Sequence, residues 1–231
     1  SRVALKGPLT SPSQWHFSAA GRLENVRVAS AALPGPISVT MGDFSATPDE
    51  VRLENAETRL LDATVTFSGR FPNFRKGLRQ ADMTFEGVVG PTVHPWLIGI
   101  ARFPPFFSLQ PPLTLENGRL RRDSTGRTSF SGDVMMDGAL RLSTEGFLDA
   151  TGITVNRLLV QDTVSRALCS LSFRRFRETI LSFNGTLRKS TLDRLLADNR
   201  YVQGWIEGDL RLKQGHDGLM STEFDGTLSA E

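Results

Sequence analysis

Few side chains in this sequence have the types and spacings that chemistry needs. The three histidines, His16, His94 and His216, lie in different local settings, and none has a second ligand at helical or strand spacing. His94 stands at the start of a predicted helix and His216 in a predicted turn. The single cysteine, Cys169, sits in the alternating run Ala-Leu-Cys-Ser-Leu, where it reads as a small buried apolar residue. One thiol excludes an internal disulfide framework and a cysteine-based zinc site. Asp49, Glu50 and Asp123 belong to turns. The nucleophile elbow, the dinucleotide-binding glycine motif, the P-loop and the His-Glu-x-x-His pattern are all missing. The expectation is a protein that is not an enzyme and uses neither metal nor cofactor.

Three basic clusters remain: Arg70, Arg75, Lys76 and Arg79; Arg119, Arg121 and Arg122; Arg174, Arg175 and Arg177. Each falls at or near a predicted strand end. They read either as solvated hairpin tips that blunt sheet edges or as a rim touching lipid phosphates. The neighbouring Phe71, Phe74, Phe173 and Phe176 keep the second reading open. Across 231 residues, 27 Lys+Arg against 25 Asp+Glu leave a net charge of +2. That excludes nucleic-acid binding by bulk electrostatics.

The elements that must carry these residues are strands. Apolar residues alternate with polar ones in Ala63–Phe71, Met83–Val89, Leu181–Leu187 and Ile206–Leu212. A phrase recurs, apolar-x-Gly-x-apolar, with glycines at Gly21, Gly69, Gly87, Gly132, Gly146, Gly185, Gly208 and Gly226. Each glycine has the parity of the apolar side chains. A missing side chain there lets the sheet bend toward its apolar face. The predicted fold is mainly β: an elongated, strongly curved antiparallel sheet with two short helices. The helices are expected at Thr92–Arg102, with Thr92 as cap, and at Ser190–Arg200, with Ser190 and Asp193 as a capping box. The step from Gly87 to Thr92 recurs 98 residues later, from Gly185 to Ser190, which implies a super-repeat. Turn signals stand at Leu33, Thr47, Glu116, Asp123 and His216. No linker divides the chain, so residues 1–231 form one continuous domain. The most apolar run, Pro95–Leu109, is too short and too broken to span a membrane.

With these strands and helices in view, the sequence resembles the AsmA-like family of bacterial envelope proteins. The likeness is closest over Ile37–Phe71, where the turn TPDEVRLENA leads into LLDATVTFSGRF. Phe103–Leu113 and Gly152–Ser165 depart from the pattern and read as insertions or irregular turns. The resemblance implies a repeating β-groove from a bridge-like lipid transfer protein, anchored in the inner membrane and crossing the periplasm. The chain would be one segment of it, carrying phospholipid acyl chains toward the outer membrane. Partners at either membrane would bind parts outside the segment. Val65, Phe67, Phe71, Phe85, Val89, Phe130, Val134, Leu181, Phe183, Leu187, Ile206, Leu210, Phe224 and Leu228 would line the groove. Gly69, Gly87, Gly132, Gly146, Gly185, Gly208 and Gly226 would mark its bends.

Two rivals share the alternation. A closed β-sandwich or β-solenoid, structural or carbohydrate-binding, would bury the same face against a second sheet. An outer-membrane barrel would need girdles of Trp and Tyr, and the chain has 1 Tyr beside 15 Phe.

Overall fold

The computed structural model describes residues 2–6, 16–31, 33–77, 79–101, 109–136, 139–174, 178–196, 199, 202–215 and 222–231. His216, Arg175, Phe176 and Arg177, the side chains of His16 and Lys76, and the expected helix ends at Arg102 and Arg200 lie outside them.

The chain folds into one sheet. Its strands are β1 (Arg2–Lys6), β2 (His16–Val28), β3 (Ile37–Ala46), β4 (Glu50–Leu60) and β5 (Ala63–Pro72). Then come β6 (Ala81–Val89), β7 (Leu113–Arg122), β8 (Thr128–Met136), β9 (Leu140–Asp149) and β10 (Gly152–Gln161). The last are β11 (Arg166–Arg174), β12 (Glu178–Arg188), β13 (Trp205–Gly215) and β14 (Thr222–Ala230). Helix α1 (His94–Ala101) joins β6 to β7, and α2 (Lys189–Leu195) joins β12 to β13. The spatial order is the chain order, every pairing is antiparallel, and β1 and β14 stay apart. The result is the curved, open antiparallel groove that the alternation predicts, and no second sheet is stacked on it among the described residues.

Because strands alternate in direction, connections alternate between two lips. Both helices sit on the lip reached by the ends of even-numbered strands, here the helix lip. The other is the open lip.

Bending is built in two ways. At Gly87 and Gly185 the backbone takes φ of 156° and 131°, a region that side-chain-bearing residues avoid. An added Cβ would stand 2.2 Å from the Thr64 carbonyl oxygen and 2.2 Å from that of Arg166, respectively. The two sites are equivalent positions of the 98-residue repeat. Elsewhere a phenylalanine ring takes the empty place: Phe85 lies over Gly118, and Phe130 over Gly146, the packing by which an aromatic ring covers a strand glycine.

A third device escapes the reading of Glu116–Gly118 as a turn. Those residues lie inside β7 at a bulge between Glu116 and Arg119. Asn117 has φ 53°; Asn25 and Asn55, with φ 52° and 48°, occupy the same Leu-Glu-Asn triplet in β2 and β4. An asparagine tolerates this left-handed geometry at a small cost. The amide of Asn55 is satisfied across the bulge by Ser68 Oγ at 3.0 Å. Likewise Thr47–Ala56 is not one turn: the chain reverses at Thr47–Asp49, and Glu50 already begins β4. Gly152–Gln161, expected to be irregular, is strand β10. A register shift around Asn156 interrupts its alternation.

The helices are shorter than their patterns suggest, and their expected caps are replaced. Ahead of α1, the backbone N–H groups of Thr92 and Val93 donate to the Asp62 carboxylate at 2.6 and 3.0 Å. Asp62 reaches over from the β4–β5 hairpin. In α2, Arg188 holds the cap position without a side-chain bond. The helix starts one residue before Ser190, so Asp193 falls in its second turn and pairs with Lys189 at 2.7 Å. Asp162, from the β10–β11 hairpin, accepts from the Thr191 hydroxyl at 2.6 Å and from the Val164 and Ser165 amides. Each helix is thus tied to a hairpin two strands back.

Gly185→Ala is expected to cost about 3 kcal/mol or more, from strain plus a backbone collision. Gly77 has φ 87° and ψ 165°, strained for any side chain, but a Cβ added there would meet nothing within 4 Å, so Gly77→Ala should cost less, about 1–2 kcal/mol from strain alone. Urea melts of the two variants check the difference; equal losses would remove crowding as the reason for Gly185.

Candidate functional site

The site is a face, and strand register sets it out in rows. One row runs Val65, Gly87, Leu115, Val134, Leu142, Val160, Ala167, Gly185, Gly208, Leu228 across neighbouring strands. A second, nearer the open lip, runs Gly69, Met83, Leu120, Phe130, Gly146, Val155, Leu171, Leu181, Leu212, Phe224. Cross-strand neighbours share a face, so apolar residues and glycines hold these two rows from β5 to β14, and Thr144 interrupts the row between them, opposite Gly132 and Leu158. The bulges in β4, β7 and β10 keep that alignment by absorbing one residue where the alternation slips.

The face is covered at one lip only. Next to the helix lip, Val89, Leu113, Met136, Leu140 and Leu187 form a packed core with Val93 of the loop before α1 and with Leu192 and Leu195 of α2. Leu140 is 0% exposed. Toward the open lip the same face meets solvent: Leu148 is 50% exposed, Phe173 47% and Leu181 36%. Phe67, Phe71, Phe85, Phe130 and Phe183 are half-buried, as are Val65, Val134, Ile206 and Leu210. On the last strand, Phe224 and Leu228 are exposed. Val89 and Leu187, grouped by alternation with the lining, instead lie under the helices. Their parity is right, but parity does not show which row a helix will cover.

Polarity on this face is confined mostly to the row at the open lip: Arg122, Thr128, Thr179, Gln214 and Thr222 stand there among Leu148, Ile153 and Phe173. Arg122 is the one charged side chain on the face from β5 to β14 among the described residues. The basic clusters also gather at this lip. Glu50 there accepts from Arg52 and Arg70. Burial acts to raise its carboxyl, and the two guanidiniums outweigh that and lower it. Arg119 pairs with Asp82 at 3.2 Å. Arg79, Arg121, Arg122 and Arg174 make no ion pair among the described residues.

The opposite face is wet. Its most perturbed group is Asp133, bound by Arg141 at 2.8 Å, by the Ser143 hydroxyl, and by Asn117 Nδ2 at 3.1 Å. The Arg141 bond is the chief cause that lowers this carboxyl to about 2, against burial. The cluster pins the Asn117 bulge to β8 and β9. Nothing in it resembles a metal cage: among the described residues no group of three or more His, Cys, Asp or Glu side chains converges. His94 is partly buried, which lowers its imidazole below the usual range, and its Nε2 has no partner.

Cys169 faces the groove between Leu158 and Phe183. Burial pushes its thiol up to about 11.

Two outcomes follow from these groups. Cys169 should react with aqueous iodoacetamide slowly through pH 9, its rate climbing only toward about 11; a plateau at the ordinary thiol value of 9.0 would place it in water. Asp133→Asn should be less stable than the parent at neutral pH. Asp133 has a lowered folded-state pKa, so its contribution is present above 3.8 and fades as pH falls toward about 2. Denaturant melts should therefore converge on acidification.

Compared with known proteins, the chain matches no family model, no curated protein and no solved structure.

Proposed function

We propose that this chain is a segment of an AsmA-like, bridge-like lipid carrier. Phospholipid acyl chains would slide along its apolar groove between the inner and outer membranes of a bacterial envelope, and the segment would lie in the periplasm. The observation that carries this reading is an apolar face ten strands long, from β5 to β14, with half-exposed phenylalanines and no covering sheet. Exposing so much apolar surface is costly at about 25 cal/mol per Å², and contiguous apolar patches mark places where something else binds. Acyl chains suit such a face because they need no directional bonds. Each CH₂ gains about 0.8 kcal/mol in bilayer or groove alike, so movement along the rows is nearly level in energy. No helix among the described residues is long and apolar enough to cross a membrane; anchoring in the inner membrane would belong to other parts of the protein.

The test is lipid transfer between donor and acceptor vesicles, with lipid extraction of the purified chain. Replacing Phe67, Phe85 or Phe183 with Asp should cut transfer about tenfold or more, since a carboxylate in an apolar slot costs several kcal/mol. Far-UV circular dichroism should keep its strand signature. Wild-type transfer by all three folded variants, or a purified chain free of lipid, would overturn the reading.

A further inference from the structure

We infer that the groove is one-sided: acyl chains lie along the half next to the open lip, with anionic phosphate headgroups carried over that lip. The inference rests on the carrier reading and adds where in the groove the lipid runs and what charge its headgroup bears. Three observations converge on it.

The helix-lip half is already occupied by the protein itself. Leu140 and Leu187 have no more than 7% of their surface exposed, because Val93, Leu192 and Leu195 fill the space above them. The 98-residue repeat places this filling twice, so both plugs fall on the same side. An acyl chain cannot displace them without opening the core.

The open-lip half keeps apolar surface free at the same depth along β9, β11 and β12. Among the described residues, none packs over Leu148, Phe173 and Leu181 closely enough to bury them. Most polar members of this face, Arg122, Thr128, Thr179 and Gln214, stand in the outermost row here, on either side of Leu148, Ile153 and Phe173, and Thr144 is the polar residue of the floor. That order, apolar floor then polar edge, is the order of a phospholipid from tail to headgroup.

The charge at this lip is unbalanced. Glu50 is held by Arg52 and Arg70, Asp82 by Arg119, and Asp123 and Asp149 by the backbones of their own turns, while Asp49 and Glu178 make no ion pair among the described residues. Arg79, Arg121, Arg122 and Arg174 make no ion pair among the described residues, and they outnumber those two acids even with Glu178 opposite Arg174 in the β11–β12 register. Guanidinium pairs with phosphate through two parallel bonds, so the lip complements an anionic headgroup.

The experiment places the photo-crosslinker p-benzoylphenylalanine singly at Leu148 and Phe173, on the open-lip half, and at Leu97 and Val202, on the helix-lip half. Each chain is incubated with mixed phosphatidylethanolamine–phosphatidylglycerol vesicles and irradiated. Lipid adducts are expected at the first pair and not at the second. In parallel, Arg121→Gln and Arg122→Gln should each lower phosphatidylglycerol capture about fivefold, equivalent to about 1 kcal/mol per arginine near an anionic lipid. Arg59→Gln and Arg166→Gln, exposed on the helix lip, should leave it unchanged. Circular dichroism of every variant confirms folding. Equal adducts on both halves, or equal losses at both lips, would overturn the one-sided path and leave the carrier reading standing. Adducts at none of the four positions would overturn the carrier reading and this inference with it.

Discussion

Each strand of this protein hydrogen-bonds to its sequence neighbours, and the described residues form no second layer of sheet to receive its apolar side chains. Most of what distinguishes the molecule follows from that constraint. A stacked sandwich satisfies two apolar faces against each other. A single layer can only curl, and it must curl toward its apolar side to shelter any of it. The inward glycines, the rings of Phe85 and Phe130 seated over Gly118 and Gly146, and the left-handed asparagines are three solutions to one steric problem. Side chains crowd on the inside of a bend, so some positions there must do without one.

Curling alone buries little at the lips, where strands end and loops begin. The helices supply what the sheet lacks on one side. Their anchoring is unusual in that the polar ties come from hairpins two strands earlier. Asp62 and Asp162 stand in corresponding hairpins, each two strands before its helix, though they do not act identically. Asp62 satisfies the free amides ahead of α1, while Asp162 closes its own hairpin turn and holds Thr191. In both, hydrogen bonds outweigh the effect of burial and lower the carboxyl below its ordinary value. Helix and hairpin therefore lock together at the helix lip, while at the open lip a backbone bond from the Asn73 N–H to the Asp49 carbonyl, 2.6 Å, links the β5–β6 loop to the β3–β4 turn.

The strands are legible in the sequence because alternation of period two is local: Ala63–Phe71 shows its face within nine residues. The parity of the glycines is legible for the same reason, and so is the existence of both helices. What stays hidden depends on relations between strands. The Leu-Glu-Asn triplet appears three times, and after each one the next inward residue comes three positions on instead of two, Leu53 to Ala56 for example. That slip is visible in the sequence, but Asn beside Gly118 also fits a turn, and only pairing partners decide between turn and bulge. The true helix ties are invisible to local patterns because Asp62 and Asp162 are distant in sequence from the helices they serve. Val89 and Leu187 share the lining's parity, yet the helices cover their row.

The two lips then differ in what they ask of a ligand. At the helix lip the protein's own leucines complete the apolar layer, and an incoming chain would have to break packed contacts that a close-fitting core does not give up cheaply. At the open lip, surface around Leu148 and Phe173 stays in water, and covering it releases that water with nothing displaced. The difference acts across the groove and not along it, because apolar side chains continue along the open-lip edge from Leu148 through Ile153 to Phe173. A carrier needs that combination: a ligand held against leaving sideways but free to move lengthwise. Deep pockets would trap it, and a flat sheet would lose it. On the proposed carrier reading, a trough filled on one side and open on the other would restrain the tail by its floor and the headgroup by its lip, with no single residue strong enough to stop the motion.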